Sequence, residues 1–281
     1  MLVNLKEMLQ NAQANHYAVG LFNTTDTDAI QGAIEAAEEL RSPIMLGTAE
    51  VLLTHGELQL IGPAMINMAK KASVPVAIHY DHGLTYERCL EALELGFSSV
   101  MYDCSTVSYE ENVQKVKEMA KIAHSFGATI EGELGHVGDN EGSAEGNSHL
   151  DDPSQFYTDP KMAKDFVTQT GIDALAIAIG TAHGAYTYTP KLDIERLKQI
   201  RNEIDTPLVL HGGSGLSDAD FKNCINNGIT KINIFTDIYT AGKNAILNPE
   251  GDYHEIRGRK VEAIKETIMN KIMLFGSNGK A

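Results

Sequence analysis

The chain has 281 residues, of which 43% are hydrophobic and 22% charged, an ordinary globular composition and not that of a disordered or fibrous protein. Its 38 acidic residues outnumber its 23 basic ones, so the formal net charge is −15, and such a surface repels the phosphates of nucleic acids and anionic lipids. The charge argues against nucleic acid and membrane partners. An anionic substrate would need a local site, such as a metal, backbone amides or a helix N-terminus.

Nothing in the chain indicates secretion or a membrane span. The three cysteines, Cys89, Cys104 and Cys224, are widely spaced and contain no CxxC pair, so neither a disulfide framework nor a thiolate zinc site is predicted. The first residues, MLVNLKEMLQNAQANHYAV, predict an amphipathic helix and lack a secretory signal pattern. Nowhere do about 18 apolar residues follow one another, as a transmembrane helix requires. These observations predict a cytoplasmic protein.

Short apolar runs of strand length alternate with longer amphipathic stretches, a pattern typical of βα units around a buried parallel sheet. The eight predicted strands are Tyr17–Phe22, Pro43–Gly47, Val74–Tyr80, Ser98–Tyr102, Ala128–Glu133, Ala174–Gly180, Pro207–His211 and Lys231–Phe235. Apolar residues spaced i, i+3, i+4 predict helices that include Thr27–Leu40, Glu111–Phe126, Lys161–Thr170, Ile194–Glu203, Ala219–Asn227 and a C-terminal helix over Glu255–Leu274.

Eight strand and helix pairs in a chain of this length predict one α/β domain over residues 1–281, a single (β/α)8 TIM barrel with an extra N-terminal helix and a C-terminal helix. A doubly wound open sheet is the alternative, but it predicts a glycine fingerprint after the first strand, where the chain reads GLFNTTDTD. A long segment rich in Gly, Asn, Asp and Ser follows the fifth predicted strand. Residues 135–160 are therefore predicted to form a lid loop at the barrel mouth.

Three histidines follow three different strands at the ends where barrel enzymes carry their active sites. They are His82, His183 and His211, and the topology brings them to one mouth. Three imidazoles with an open coordination position are the protein part of a catalytic zinc site. Any one of them alone is explained equally well as a polar residue that caps a strand. Together they predict a shared metal.

Carboxylates accompany these histidines. Asp81 precedes His82, and it either orients an imidazole or acts in general acid–base catalysis, two roles that the spacing does not separate. Asp103 and Glu133 are candidates for a second metal position, with hydrogen bonding to neighbouring loops as the alternative.

The segments HGGSGLSD and INIFTD follow predicted strands seven and eight, whose loops often bind phosphate in barrels through backbone N–H groups. Gly212, Gly213 and Ser214 would let the backbone approach an anion, while Asn233 and Thr236 would add side-chain hydrogen bonds. These loops are the local anion site that the net charge requires.

Taken together, the motifs resemble the class II, zinc-dependent ketose-bisphosphate aldolases, which include fructose-bisphosphate and tagatose-bisphosphate aldolases. The resemblance rests on HYDHG at 79–83, IEGELGHVGDNE at 130–141, GTAHG at 180–184, LHGGSG at 210–215 and KINIFTD at 231–237. It implies a TIM barrel with Zn²⁺ bound by His82, His183 and His211. The implied reaction is reversible aldol cleavage or condensation of a ketose phosphate, with dihydroxyacetone phosphate as the ketone and an enediolate stabilised by the zinc.

The same resemblance implies roles for further residues. Asp81 would be the proton donor, and Glu141 in the lid, or its neighbour Glu145, would be the base of the enediolate step. Dihydroxyacetone phosphate would be bound by Asn23, Gly184, Gly212, Gly213, Ser214, Asn233 and Thr236. A monovalent cation, Na⁺ or K⁺, near the phosphate loops and a homo-oligomer, dimer or tetramer, are also implied.

The chain departs from the bisphosphate enzymes in several places. Gly138-Asp139 stands where two glycines are common, and the segments Thr24-Thr25-Asp26 and Gly47-Thr48-Ala49 are unlike the usual ones. Arg257 and Arg259 lie near the region expected for an arginine that clasps the second phosphate, but at a different spacing. These departures predict that the acceptor aldehyde is unphosphorylated or otherwise altered.

Three other functions are weighed against a zinc aldolase. A Schiff-base aldolase needs a lysine at an inner strand position, whereas ALAIAIG has none and Lys231 is predicted at the far face of the barrel. A metal-dependent hydrolase of the amidohydrolase kind would carry H-x-H after strand one, where Phe22-Asn23-Thr24 stands. A non-catalytic sugar-phosphate sensor would lack Asp81 or one of the three histidine ligands, and all four are present.

Overall fold

The computed structural model describes residues 1–138, 153–184, 186, 189–247 and 250–281. Its strands are β1 (Leu2–Val3), β2 (Val19–Asn23), β3 (Ile44–Ala49), β4 (Val76–Gly83), β5 (Ser99–Tyr102), β6 (Thr129–Leu134), β7 (Ala174–Ile177), β8 (Leu208–Leu210) and β9 (Ile229–Ile234). The α-helices in those ranges are α1 (Leu5–Ala14), α2 (Thr27–Glu39), α3 (Leu58–Lys71), α4 (Tyr86–Leu95), α5 (Tyr109–Ser125), α6 (Pro160–Thr170), α7 (Ile194–Glu203), α8 (Asp218–Asn226), α9 (Thr236–Ile246) and α10 (Tyr253–Phe275). Short 3₁₀ helices cover Glu50–Leu52 and Pro153–Phe156.

Strands β2 to β9 close into a parallel barrel. Neighbours pair in the order β4-β3-β2-β9-β8-β7-β6-β5, and β5 pairs back with β4. The short β1 adds to β4, where Leu2 lies opposite Val76. The predicted eight-stranded TIM barrel is confirmed, each predicted strand overlaps a barrel strand, and the six helices named from the sequence agree with α2, α5, α6, α7, α8 and α10 to within two residues at either end.

Local sequence signals set the helix ends. Asp26 precedes α2 and accepts hydrogen bonds from the backbone N–H groups of Asp28 and Ala29, which satisfies two donors that the first turn leaves unpaired. Ser217 and Asp220 form a reciprocal capping box at the start of α8. Because such signals are local, the helix bounds can be predicted from the sequence.

The barrel interior changes from an apolar floor to a polar layer beneath the mouth. Side chains alternate along each strand between the interior and the surrounding helices. Apart from Lys231, the lowest interior positions are apolar, and they pack against α1, which closes the N-terminal end with Leu5, Met8, Leu9 and Ala12. Positions further along β4, β6 and β8 carry His79, Glu131 and His211, all fully buried. The apolar floor thus supports a layer of buried ionisable groups.

Helix α10, the longest in the described ranges, packs against α2 and α9. Its apolar side chains Ile264, Ile268 and Ile272 are buried in the core between the helices and the barrel. Arg257 on its outer side pairs with Asp28 at 2.8 Å. None of the helices in the described part of the chain combines the length and the apolar composition that a bilayer crossing needs.

The predicted lid over residues 135–160 is described at its two ends. Residues 139–152, and with them Glu141 and Glu145, lie outside the described residues. The ends are joined to each other, because the backbone N–H of His136 donates to the carbonyl of Phe156 at 3.0 Å and the hydroxyl of Thr158 donates to the carbonyl of Leu134 at 2.5 Å. The lid and its catalytic glutamate stay predictions.

Candidate active site

A cavity of about 310 Å³ opens at the C-terminal ends of the barrel strands. Its walls include most of the site residues predicted from the sequence, namely Asn23, Asp81, His82, Asp103, His183, Gly184, Gly212, Gly213, Ser214, Asn233 and Thr236. His211 and Glu133 are not part of the wall but are buried next to it, with His211 in contact with His82. The structure therefore brings the predicted residues that it describes to one place.

An irregularity at the end of β4 presents two adjacent residues to this cavity. The register between β4 and β5 shifts between Tyr80 and Gly83, and His82 has a φ of 42°, which is uncommon for a residue other than glycine. As a result Asp81 and His82 both line the cavity, although neighbours on a regular strand face opposite sides. Backbone conformations of this kind concentrate at functional sites.

The three predicted histidine ligands form one cluster. The ligand nitrogens of His82, His183 and His211 all lie within 4.8 Å of one another. The ring centroid of His82 is 4.7 Å from that of His183 and 4.4 Å from that of His211. The rings come from the ends of β4 and β8 and from the segment after β7, as the topology predicts.

Two carboxylates determine which nitrogens face the centre of the cluster. Asp103 Oδ2 lies 2.7 Å from His82 Nδ1, and Glu131 Oε1 lies 2.8 Å from His211 Nε2. An ionised carboxylate only accepts, so these outer nitrogens carry protons, and the inner nitrogens, His82 Nε2 and His211 Nδ1, face each other at a hydrogen-bond distance of 2.7 Å. One proton is shared between these two inner nitrogens. The donor set fits a metal that prefers imidazole, such as zinc.

Charge is divided unequally between the two facing rings. Burial lowers the pKa of His82, but the attraction of Asp81, Asp103 and Glu133 outweighs burial and raises that pKa to about 10. Burial and repulsion from His82 lower the pKa of His211 to about 4. The proton in the hydrogen bond between His82 Nε2 and His211 Nδ1 therefore belongs to His82.

Asp81 is held by two amide side chains. Asn23 Nδ2 donates to Oδ2 of Asp81 at 2.7 Å, and Asn233 Nδ2 lies 3.0 Å from both carboxylate oxygens. Burial opposes ionisation of Asp81, but the charge of His82 and the nearby imidazole of His79, whose Nε2 lies 3.7 Å from Oδ1 of Asp81, hold the pKa of this carboxyl well below its usual range. Asn23 and Asn233, predicted as substrate residues, line the cavity and also fix the carboxylate.

The candidates for a second metal position already have protein partners. Asp103 accepts from His82 and from the backbone N–H of Ser105 at 3.0 Å. Glu133 accepts from the backbone N–H of Val137 at 3.1 Å, and burial together with the charge of Asp103 raises the pKa of Glu133 to about 8. Both lie with His82 in a group of ligand atoms within 4.8 Å, so a second position stays a prediction.

The side chain of Lys231 lies inside the barrel and not at its far face. Its backbone is level with Val19 and Val209 in the lowest barrel layer, but its side chain is fully buried inside the barrel and its Nζ is 2.8 Å from Glu131 Oε2. The expectation of a lysine at the far face is therefore wrong for the side chain. Its ammonium also opposes a metal at the second buried cluster, formed by His79, Asp81 and Glu131.

The predicted phosphate loops are tied together at the cavity wall. The hydroxyl of Ser214 accepts from the backbone N–H groups of Phe235 at 3.1 Å and Asp237 at 3.5 Å, which links the loop after β8 to the first turn of α9. Gly212 has a φ of 64°, and a Cβ there would collide with the carbonyl oxygen of Ala182. The start of α9 thus borders the cavity with the positive end of its dipole.

The structural roles of Tyr186 and Glu131 at the site are not predicted by the sequence analysis. Tyr186 accepts from the backbone N–H of Ala182 at 2.9 Å and donates to the carbonyl of Gly212 at 2.8 Å, which joins the loops after β7 and β8. No pattern in the sequence indicates this role. Glu131 could have been found, because period-two alternation on β6 puts Glu131 and Glu133 on the same interior face.

These features define a class of protein: a parallel (β/α)8 barrel enzyme with a three-histidine cluster, an ionised carboxylate and a glycine-rich loop at the C-terminal end of the barrel. A family model described as fructose-bisphosphate aldolase class-II matches residues 3–280. The chain belongs to this family. It is an aldolase, a lyase that acts on carbon–carbon bonds.

Several relatives are similar over their whole length. The uncharacterised protein YdjI of Escherichia coli K12 is 39% identical, with both chains fully covered. A fructose-bisphosphate aldolase of Staphylococcus aureus strain Mu50 is 38% identical over 100% of this chain and 99% of its own. The crystal structure of the YdjI aldolase superposes with a TM-score of 0.90 at 38% identity, covering 100% of both chains. A putative fructose-1,6-bisphosphate aldolase from Coccidioides immitis gives 0.87 at 26% identity, covering 98% of this chain and 96% of its own.

Proposed function

We propose that the protein cleaves a ketose 1-phosphate reversibly into dihydroxyacetone phosphate and an aldehyde that carries no phosphate. Zn²⁺ held by His82, His183 and His211 is part of this proposal. The observation that carries it is the composition of one cavity, which joins a histidine cluster and Asp81 to an anion loop on one side and an apolar wall on the other. A bound zinc ion would supply a Lewis acid for the ketone oxygen of the substrate.

Asp81 is the base for cleavage. Its carboxylate, ionised and held by Asn23 and Asn233, removes the proton from the hydroxyl of carbon 4 of the ketose. The bond between carbons 3 and 4 then breaks, the aldehyde forms, and the electron pair stays with the ketone half as an enediolate. A proton returned to carbon 3, from Glu141 or Glu145 of the lid, completes dihydroxyacetone phosphate. Condensation reverses these steps, with Asp81 as the proton donor.

The phosphate of dihydroxyacetone phosphate binds at the loops after β7, β8 and β9. Gly184, Gly213, Ser214 and Thr236 border the cavity there, together with the first turn of α9. Backbone N–H groups at a helix start attract phosphate despite a net charge of −15, because they act at short range. A monovalent cation, Na⁺ or K⁺, beside these loops belongs to the proposal as well.

The opposite wall differs in composition, although the polar side chains of Thr106 and His136 line the same cavity. It is formed by apolar side chains, among them Val51, Leu52 and Leu84, and Asp103 adds a negative charge. Within the described residues the cavity wall contains neither lysine nor arginine. A second phosphate at this wall would be repelled by Asp103 and would meet neither lysine nor arginine among the described residues.

The two arginines considered for a second phosphate have other partners. Arg257 pairs with Asp28 on α2 at 2.8 Å and donates to Gln31 at 3.2 Å. Arg259 donates to the backbone carbonyl of Glu250 at 2.5 Å. Neither belongs to the cavity wall. This arrangement supports an acceptor aldehyde without phosphate.

Comparison of substrates tests the proposal. Cleavage of fructose and tagatose bisphosphates is measured beside cleavage of the corresponding ketose 1-phosphates, and we expect the higher kcat/KM for the monophosphates. A preference for the bisphosphates would contradict the proposal that the aldehyde carries no phosphate, but it would leave the proposed aldol reaction in place. Dialysis against a chelator should stop turnover, and added Zn²⁺ should restore it. If the protein binds phosphate but turns over none of these substrates, the alternative of a non-catalytic sugar-phosphate sensor is favoured. Hydrolysis without carbon–carbon cleavage would favour the metal-dependent hydrolase.

A further inference from the structure

Lys231 is buried inside the barrel, and the proposed reaction gives it no role. The side chains of Lys231 and Glu131 are 0% exposed, and Lys231 Nζ lies 2.8 Å from Glu131 Oε2. Removal of two charges from water is unfavourable, and their mutual attraction offsets that cost only in good geometry. A hydrophobic pair of similar size would serve stability as well. The ion pair therefore points to a role at the site.

Glu131 connects this ammonium to the histidine cluster. Its Oε2 faces Lys231, and its Oε1 accepts from His211 Nε2 at 2.8 Å. The two oxygens thus have different partners, which fixes the orientation of the carboxylate. The nearest other ring is that of His79, whose Nε2 is 3.8 Å from Glu131 Oε2 and whose Nδ1 is taken by Ser99 Oγ at 2.7 Å. Lys231 is the closer and stronger anchor.

The orientation of Glu131 decides which nitrogen His211 presents to the cavity. Because the carboxylate accepts from Nε2–H, the lone pair of the neutral ring lies on Nδ1, the nitrogen 2.7 Å from His82 Nε2. In the other tautomer a lone pair would face Glu131, and an N–H would point to the place where a metal is held. Hydrogen bonds to the second nitrogen of a histidine ligand commonly set metal affinity in this way.

We propose that Lys231 is a positioning residue: through its ion pair with Glu131 it fixes the tautomer and orientation in which His211 faces the metal. Lys231 is not part of the cavity wall, so it acts on His211 through Glu131 and does not touch the substrate. The inference rests on the proposed metal site.

Zn²⁺ affinity of the full chain is the first test. Lys231→Met removes the ammonium and keeps a side chain of similar length. Lys260→Met is the matched control, because Lys260 also forms an ion pair, 2.8 Å from Asp26, but on the outer side of α10. Competition with a chelator should show a roughly 10- to 100-fold weaker Zn²⁺ affinity for Lys231→Met and no change for the control. The absorption spectrum of bound Co²⁺ should also change only in Lys231→Met.

The tautomer of His211 is the second test. Long-range proton–nitrogen NMR spectra of the full chain after metal removal should show Nε2–H for the wild type and a mixture of tautomers for Lys231→Met. This readout needs no bound metal, so it separates the two proposals. A wild type that binds no Zn²⁺ contradicts the proposed function, whereas an unchanged tautomer in folded Lys231→Met overturns the inference.

Glu131→Gln keeps the test decisive if Lys231→Met does not fold. The amide preserves the shape of the carboxylate but can turn its NH₂ toward His211 Nε2, so Zn²⁺ affinity should fall as in Lys231→Met. Since Lys231 acts through Glu131, the double variant should bind Zn²⁺ no more weakly than Glu131→Gln alone. Full additivity of the two losses, or unchanged Zn²⁺ affinity in a folded single variant, would overturn the proposal.

Discussion

The two sides of the cavity differ in the chemical groups that line them. The phosphate side consists of backbone and small side chains, such as Gly212, Gly213 and Ser214, which hydrogen bonds tie to the start of α9. The acceptor side consists of apolar side chains, of which Val51 is 65% and Leu84 50% exposed. A backbone-built site changes only when the fold changes, whereas an exposed side chain can be replaced without moving its neighbours. Under the proposed function, the phosphate side would determine the chemistry shared by all substrates, and the acceptor side would determine which aldehyde is used.

Loss of a proposed histidine ligand should have the largest effect, because the proposed reaction uses one metal for every substrate. His211→Ala removes a buried imidazole that contacts His82 and Glu131, and turnover of every substrate should become undetectable together with bound Zn²⁺. Metal analysis of the purified variant and a retro-aldol assay measure the two losses. His55→Ala, at an exposed position, should change neither. Stoichiometric zinc in His211→Ala would remove His211 from the metal site.

Asp81→Asn separates proton transfer from metal binding. The amide has the shape of the carboxylate but cannot take a proton, so kcat should fall about 10²- to 10⁴-fold while bound Zn²⁺ stays unchanged. Steady-state kinetics and metal analysis of the same preparation provide both values. Asp218→Asn, an exposed carboxylate in the first turn of α8, is the control. A rise in KM alone, with kcat intact, would show that Asp81 only orients its neighbours.

Gly212→Ala should act on the phosphate side alone. A residue with a side chain is strained at a φ of 64°, by about 1 to 3 kcal/mol, and its Cβ would push the carbonyl of Ala182 out of the loop. Inhibition by dihydroxyacetone phosphate should weaken about 10- to 100-fold, which corresponds to about 1.4 to 2.8 kcal/mol. Gly127→Ala is a matched control, because Gly127 has a φ of 74° and open space around it.

The two glycine variants share backbone strain, so both should lower the melting temperature. Only Gly212→Ala should weaken inhibition by dihydroxyacetone phosphate. Equal inhibition constants for both variants would contradict a backbone-built phosphate site at this loop.

Features with a local or periodic cause could be predicted from the sequence. Strand runs and their order placed His82, His183 and His211 at one mouth before any distance was known, because parallel strands of a barrel end at the same face. Gly212 and Gly213 indicated a close approach of the backbone for a similar reason. The barrel itself follows from eight repeats of one pattern.

Features that depend on contacts between distant strands could not be predicted in this way. The sequence predicts Asn23 and Asn233 as substrate residues, whereas their amides also hold Asp81 through contacts between β2, β9 and β4. The side chain of Lys231 extends from the lowest layer to Glu131, and no local signal gives that direction. The aldehyde partner depends on which side chains surround the open mouth, which periodicity does not report.

A cation on the acceptor wall should have the smallest effect and tests that wall most directly. Val51→Lys places an ammonium where the described wall has none, and an exposed ion pair contributes about 0.2 to 1 kcal/mol. The ratio of kcat/KM for fructose bisphosphate to that for the ketose 1-phosphate should rise about one and a half- to fivefold, and less at high salt. Leu60→Lys, equally exposed on α3 but outside the cavity wall, should leave the ratio unchanged. An equal response of both variants would mean that net charge, and not the acceptor wall, selects against the second phosphate.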